Sequence, residues 1–104
     1  MNHPKAPPSL SDEARRLWDA IHKEFVIERA ADVAMLARAM AAYDLAVAAE
    51  KQLRRDGPVV QDRFGQDRAH PAASVARDAR SQFASLLKQL EVCPTNLIKG
   101  AKTR

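Results

Sequence analysis

The feature that most constrains this chain is the run of residues that follows Asp32, which contains no proline or glycine until Gly57. The run is built from strong helix formers, above all alanine. It predicts a helix over residues 31–55, on the order of 36 Å long at a rise of about 1.5 Å per residue. Gly57-Pro58 then ends the helix, because proline has no backbone N–H and its ring clashes with the preceding turn.

The larger apolar residues of this helix recur at helical spacing and form a seam. Its members are Val33, Leu36, Met40, Tyr43, Val47 and Leu53. Leu45 and several alanines lie off the seam, so the helix is apolar on more than one side. Such a helix either lies centrally in a bundle or is shared with a neighbouring subunit. We therefore expect contacts between copies of the chain to involve Met40, Tyr43, Leu45 and Val47.

A shorter amphipathic helix is predicted on each side of the long one. Ser11 is a suitable N-cap for a helix over residues 11–25, whose apolar residues recur every three or four positions. Pro71 suits the first position of a helix over residues 71–92, with His70 as a possible cap. Pro94 ends this last helix, because the residue before a proline avoids helical geometry.

These elements predict an all-α protein with three main helices. The intervening residues 58–69 contain Gly65 and no helical period, so they form a loop or a short β-hairpin. With 104 residues, the chain is long enough for one domain. We expect a flexible N-terminal arm over residues 1–10, a helical core over residues 11–93 and a basic tail over residues 94–104.

The residues that catalysis or metal binding requires are sparse. Three glycines cannot form a phosphate loop of known spacing. His3, His22 and His70 are scattered, and Cys93 is the single cysteine, so no zinc-ligand pattern exists. The acidic residues stand beside arginines, which is typical of solvated helix faces. We therefore expect no catalytic residue, no metal and no cofactor, and an enzyme with an unrecognised site is the weakest interpretation.

The formal net charge of +4 leaves three classes of partner open: nucleic acid, an anionic membrane or an acidic protein. The basic residues that are candidates for phosphate contact are Arg54, Arg55, Arg63, Arg68, Lys99, Lys102 and Arg104. Simple solvation of these side chains is the alternative. Aromatic residues do not interleave with them as in single-strand binders, so DNA contact would be to the duplex backbone. The sequence shows neither a membrane-spanning run nor a signal peptide, so we expect the chain to remain in the compartment where it is made.

Several motifs occur in an order that resembles a known family. They are Pro7-Pro8-Ser9-Leu10-Ser11, Ala14 and Trp18, Asp32 with Leu36 and Tyr43, Gly57, Arg63-Phe64-Gly65-Gln66, His70-Pro71-Ala72, and Leu90 before Pro94. From Pro7 to Pro94 the chain resembles the small terminase subunits of tailed phages and prophages, specifically the short helical group with a His-Pro-Ala loop. One departure is that Thr95-Asn96 follows Pro94 where family members often carry a serine–arginine pair, so no role of that arginine is carried over to Asn96.

The resemblance implies a non-catalytic subunit that forms a ring, binds viral double-stranded DNA and regulates the large terminase subunit, an ATPase and nuclease. It also implies action in the cytoplasm of a bacterial host cell, with no membrane partner. A helix that is apolar on several sides would fit subunit contacts in such a ring. The alternative is a helical protein–protein adaptor, for instance a phage-encoded regulator, with no role in binding DNA.

Overall fold

Five elements follow one another along residues 3–90, which are the residues that the computed structural model describes. They are α1 (Asp12–Glu24), α2 (Ala30–Asp56), β1 (Val59–Gln61), β2 (Asp67–Ala69) and α3 (Pro71–Gln89). The predicted class, three helices with a hairpin between the second and the third, is confirmed. The predicted tail over residues 94–104 lies outside the described residues.

The ends of the helices follow local capping chemistry. The Ser11 hydroxyl accepts a hydrogen bond from the Ala14 N–H at 3.1 Å, which satisfies one of the free donors of the first turn of α1. At the end of α2, Gly57 has a φ of 83°, a left-handed conformation that glycine adopts without strain. α3 ends at Gln89 with Leu90 as its C-cap, and the predicted residues 91 and 92 lie outside the described part of the chain.

α2 and α3 lie side by side in antiparallel orientation. Three contacts show the direction: Asp56 with His70, Glu50 with Arg80, and Tyr43 with Phe83. The guanidinium of Arg80 donates two hydrogen bonds to the Glu50 carboxylate, at 2.7 and 2.8 Å. These bonds lower the pKa of Glu50.

Alanines form the contact between α2 and α3. The buried alanines of α2 are Ala39, Ala42, Ala46 and Ala49, and those of α3 are Ala72, Ala76 and Ala79. Their spacing alternates between three and four, as in a coiled coil, and methyl side chains allow two helix backbones to approach closely. Ala49 packs directly with Ala72 and Ala76, and Leu53 covers this cluster. We call this row of alanines the alanine seam.

The larger apolar side chains are concentrated where all three helices meet. Trp18 of α1 and Leu36 and Met40 of α2 are the largest fully buried side chains. Three large apolar residues of the second half of α3 pack against the same cluster, together with the C-cap residue: Phe83, Leu86, Leu87 and Leu90. Burial of each such side chain is worth about 1.5–3 kcal/mol, so this end supplies most of the apolar stabilisation.

The seam expected for α2 is partly wrong. Leu36 and Met40 are buried as expected, but Tyr43, Val47 and Leu53 are only half-buried, and alanines occupy the buried positions instead. The opposite side of α2 is exposed, and its members Ala34, Arg38, Ala41, Leu45 and Ala48 also alternate at spacings of four and three. We call this row the outer face of α2. Leu45 in its centre is 52 % exposed.

Polar contacts hold the start of α1 on the middle of α2. The Ser11 backbone N–H and hydroxyl donate to the two Asp44 carboxylate oxygens at 2.8 and 2.6 Å. The Tyr43 hydroxyl donates to the Glu13 carboxylate, and this hydrogen bond raises the pKa of Tyr43. The position of α1 is therefore fixed by hydrogen bonds as well as by the packing of Trp18.

The predicted N-terminal arm contacts α1 over its described residues. Leu10 is buried in the core cluster, and the Trp18 indole N–H donates to the Pro4 carbonyl at 2.8 Å. The division into arm, core and tail stays a prediction. Among the described helices, none combines the length and apolar character that a membrane crossing requires.

Replacing Ala76 with leucine tests the alanine seam. The larger side chain has no space beside Ala49 and Ala72, so we expect the free energy of unfolding to fall by about 1–3 kcal/mol. Ala84→Leu is the matched control on the same helix, because Ala84 is exposed, and its effect should stay within about 0.5 kcal/mol. Urea unfolding followed by circular dichroism measures both. Equal stability of the two variants would contradict close packing at the seam.

Candidate nucleic-acid interface

The hairpin between α2 and α3 projects from the helices with little burial. Its strands are antiparallel, with Val59 opposite Ala69, Val60 opposite Arg68 and Gln61 opposite Asp67. Residues 63–69 are all exposed. A two-stranded hairpin of this kind is only marginally stable alone, so its order must come from other contacts.

Asp62 organises the tip of the hairpin. One of its carboxylate oxygens accepts hydrogen bonds from the backbone N–H groups of Phe64 and Gln66, at 2.8 and 3.0 Å. The other accepts a bond from the Arg68 guanidinium at 2.7 Å, and this bond is the main cause of the lowered pKa of Asp62. Gly65 has a φ of 79°, which lets the chain reverse direction without strain. The tip is therefore a structured turn.

His70 and Asp56 hold the base of the hairpin. The Nδ1 atom of the buried His70 accepts the Ala72 N–H at 3.0 Å and so caps α3, as the sequence predicts. Nε2 then carries the ring proton and donates to Asp56 at 3.0 Å. This hydrogen bond, with one from Arg55, lowers the pKa of Asp56. The His70 backbone N–H also bonds the Pro58 carbonyl at 2.8 Å, so the end of α2 and the start of α3 are tied together.

The structure brings the four described arginines of the predicted DNA-binding set to this end of the molecule. Arg54 and Arg55 lie in the last turn of α2, Arg63 lies at the tip and Arg68 lies in β2, and all four are exposed. The remaining predicted residues, Lys99, Lys102 and Arg104, lie outside the described part of the chain.

Two of the four arginines are bound to carboxylates of their own chain. Arg55 pairs with Asp56 at 3.1 Å, and Arg68 pairs with Asp62. Arg54 and Arg63 form no ion pair within residues 3–90, and the Arg63 guanidinium lies 5.4 Å from the centre of the Phe64 ring. Residues 54–68 hold three aspartates beside the four arginines. The net positive charge of this end is therefore small in a single copy.

The four residues predicted for contacts between copies differ in what surface they offer. Met40 is fully buried within the protomer, and the Tyr43 ring packs at a tilt against Phe83, with ring centres 5.3 Å apart. Leu45 is half-exposed, and Val47 lies beside a groove between α2 and the start of α1. Only Leu45 and Val47 offer apolar surface that another copy can cover.

Sequence reasoning missed the two aspartates that order this end, Asp56 and Asp62. A signal for Asp62 existed, because aspartate three residues before a glycine in a short loop is typical of a turn in which the carboxylate accepts backbone N–H groups. No sequence pattern indicated a role for Asp56, because its partner His70 is separated from it along the chain by the whole hairpin. Within residues 3–90, no group of three histidine, cysteine, aspartate or glutamate side chains is placed to hold a metal ion.

Part of the chain matches a known family. The model of a family described as phage terminase, small subunit, matches residues 14–96 of the chain. The matched stretch contains nearly all of α1, all of α2 and α3, and the hairpin with its arginines. Neither a curated protein nor a solved structure matches the chain.

Replacing His70 tests the base of the hairpin. His70→Ala removes the α3 cap and the bond to Asp56, so we expect the free energy of unfolding to fall by about 1–2 kcal/mol. His70→Asn is the matched control, because asparagine is among the best N-caps and should restore most of that stability. Thermal unfolding followed by circular dichroism compares the two. An alanine variant as stable as the wild type would contradict the capping role.

Proposed function

This chain belongs to the family of phage terminase small subunits, and we propose that it is an oligomeric subunit of a DNA-packaging terminase that binds viral duplex DNA. In this role it has no catalytic activity of its own and regulates the large subunit, which carries the ATPase and nuclease. Its site of action would be the cytoplasm of the infected bacterial cell.

The observation that carries the DNA-binding part is the position of the arginines. Arg54, Arg55, Arg63 and Arg68 occupy one end of the protomer, on the last turn of α2 and on the hairpin. Phosphate contacts need positive charge at a surface without precise geometry, and exposed arginines meet this requirement. Arg54, which forms no ion pair with a carboxylate within the described residues, would make the first contact.

Because the net charge of this end is small, several copies would be needed for tight binding of duplex DNA. One protomer would neutralise few phosphates and bind duplex DNA weakly. When copies are linked, each further contact becomes intramolecular, and the overall affinity rises without any new type of contact. An oligomer would therefore have a high overall affinity for duplex DNA although each single site binds it weakly.

The outer face of α2 supports oligomer formation independently of charge. Leu45 is exposed in the centre of a row of alanines, and Arg38 is the row's charged member. α3 covers the opposite side of α2, and within residues 3–90 the outer face is exposed, which suits contact with a second copy. We propose that Leu45 on this face and Val47 beside it contribute to the contacts between copies, and that repetition of these contacts closes a ring.

DNA binding is tested by the double variant Arg54→Ala with Arg55→Ala. We expect affinity for duplex DNA to fall, because each of these arginines would neutralise a phosphate. The slope of log K against log salt should shrink by about 0.9 for each phosphate that the variant no longer neutralises. Fluorescence anisotropy with labelled duplex at several salt concentrations measures both quantities.

The matched control also removes two positive charges, but from α1, away from the hairpin. Arg16 and Lys23 are exposed on α1, so Arg16→Ala with Lys23→Ala should leave the salt slope unchanged. If both double variants bind DNA as the wild type does, the arginines are not a DNA site, and the adaptor interpretation is favoured instead.

A further inference from the structure

We propose that the hairpin tip of one copy docks into the groove between α1 and α2 of a second copy. The tip consists of Arg63 and Phe64, and the inference rests on the proposed oligomeric function, for which it names a contact. Phe64 is 75 % exposed within the described residues, an unusual position for a large aromatic side chain.

The tip is ordered before any partner binds. Asp62 holds the backbone of Phe64 and Gln66, and the Arg63 guanidinium lies over the Phe64 ring. An exposed aromatic on a rigid turn loses little conformational entropy when it is buried, and aromatic and arginine side chains carry much of the binding energy at protein interfaces.

The groove offers surfaces that match both side chains of the tip. Val47 and Ala48 line it with apolar surface that suits the Phe64 ring. Glu13 and Asp44 line it with carboxylates that suit the Arg63 guanidinium. Each carboxylate already accepts bonds from Tyr43 or Ser11, which fixes its position and leaves lone pairs for a further donor.

The charges that line the groove favour binding of the tip of a second copy over binding of DNA. The groove carries two carboxylates and one cation, Lys51, so it attracts an arginine and repels phosphate. The tip cannot fill the groove of its own chain, because residues 63–69 are exposed and do not pack along the helices. The contact therefore joins two different surfaces, and repetition of such a head-to-tail contact gives a ring if the rotation closes.

Two variants separate the two sides of the contact. Arg63→Ser with Phe64→Ser removes the tip, and Val47→Lys places a cation in the groove. We expect each variant alone to have the mass of a single chain by light scattering. In an equal mixture, the intact tip of the Val47→Lys chain meets the intact groove of the other chain, so we expect a species of two chains and no larger one.

Val26→Lys is the matched control, since Val26 is 84 % exposed and lies away from both the tip and the groove. It should keep the wild-type mass, and circular dichroism of all variants should show unchanged helix content. A mixture that does not pair would overturn the contact.

A tip variant that keeps the wild-type mass would also overturn the contact, and if its affinity for duplex DNA also fell, the tip would be assigned to DNA. A wild type with the mass of one chain would instead refute the oligomeric part of the proposed function itself.

Discussion

The close packing of α2 against α3 along the alanine seam is the interaction on which the rest of the structure depends. Because alanine side chains are small, the two helices can lie close together over most of their length, with Ala49 in contact with Ala72 and Ala76. Their ends are then near enough for the bond between His70 and Asp56 to hold the base of the hairpin. The large apolar residues lie at the end of the molecule away from the hairpin, where Trp18 packs in the core with side chains of α2 and α3.

The features that could be predicted from the sequence are those that depend on residues close to each other along the chain. Ser11, Gly57 and His70 mark helix boundaries by local chemistry, and the structure has each of them in that role. The alanine seam was missed, because hydrophobic periodicity gives weight to large side chains and treats alanine as a helix former. Which arginines bind carboxylates of their own chain was also beyond the sequence, since the partners Asp56 and Asp62 are recognised only once the hairpin has formed.

The apolar, acidic and basic surfaces of the protomer lie in different parts of the molecule. One end has the large core, and the other carries arginines and an exposed Phe64. The groove that is lined by Glu13 and Asp44 lies between them, along the middle of α2. The α2 helix joins the two ends and keeps apolar residues on its outer face. A protomer with two complementary surfaces and a small net charge at its arginines suits a family of small terminase subunits if it acts in several copies.

The central claim is that the folded chain is a subunit of an assembly of identical copies. The mass of the wild-type protein by multi-angle light scattering, at micromolar concentrations and low salt, tests this claim most directly. We expect one species whose mass is a whole multiple, several times larger, of the 11.5 kDa chain. A mass of 11.5 kDa at every concentration would contradict the claim.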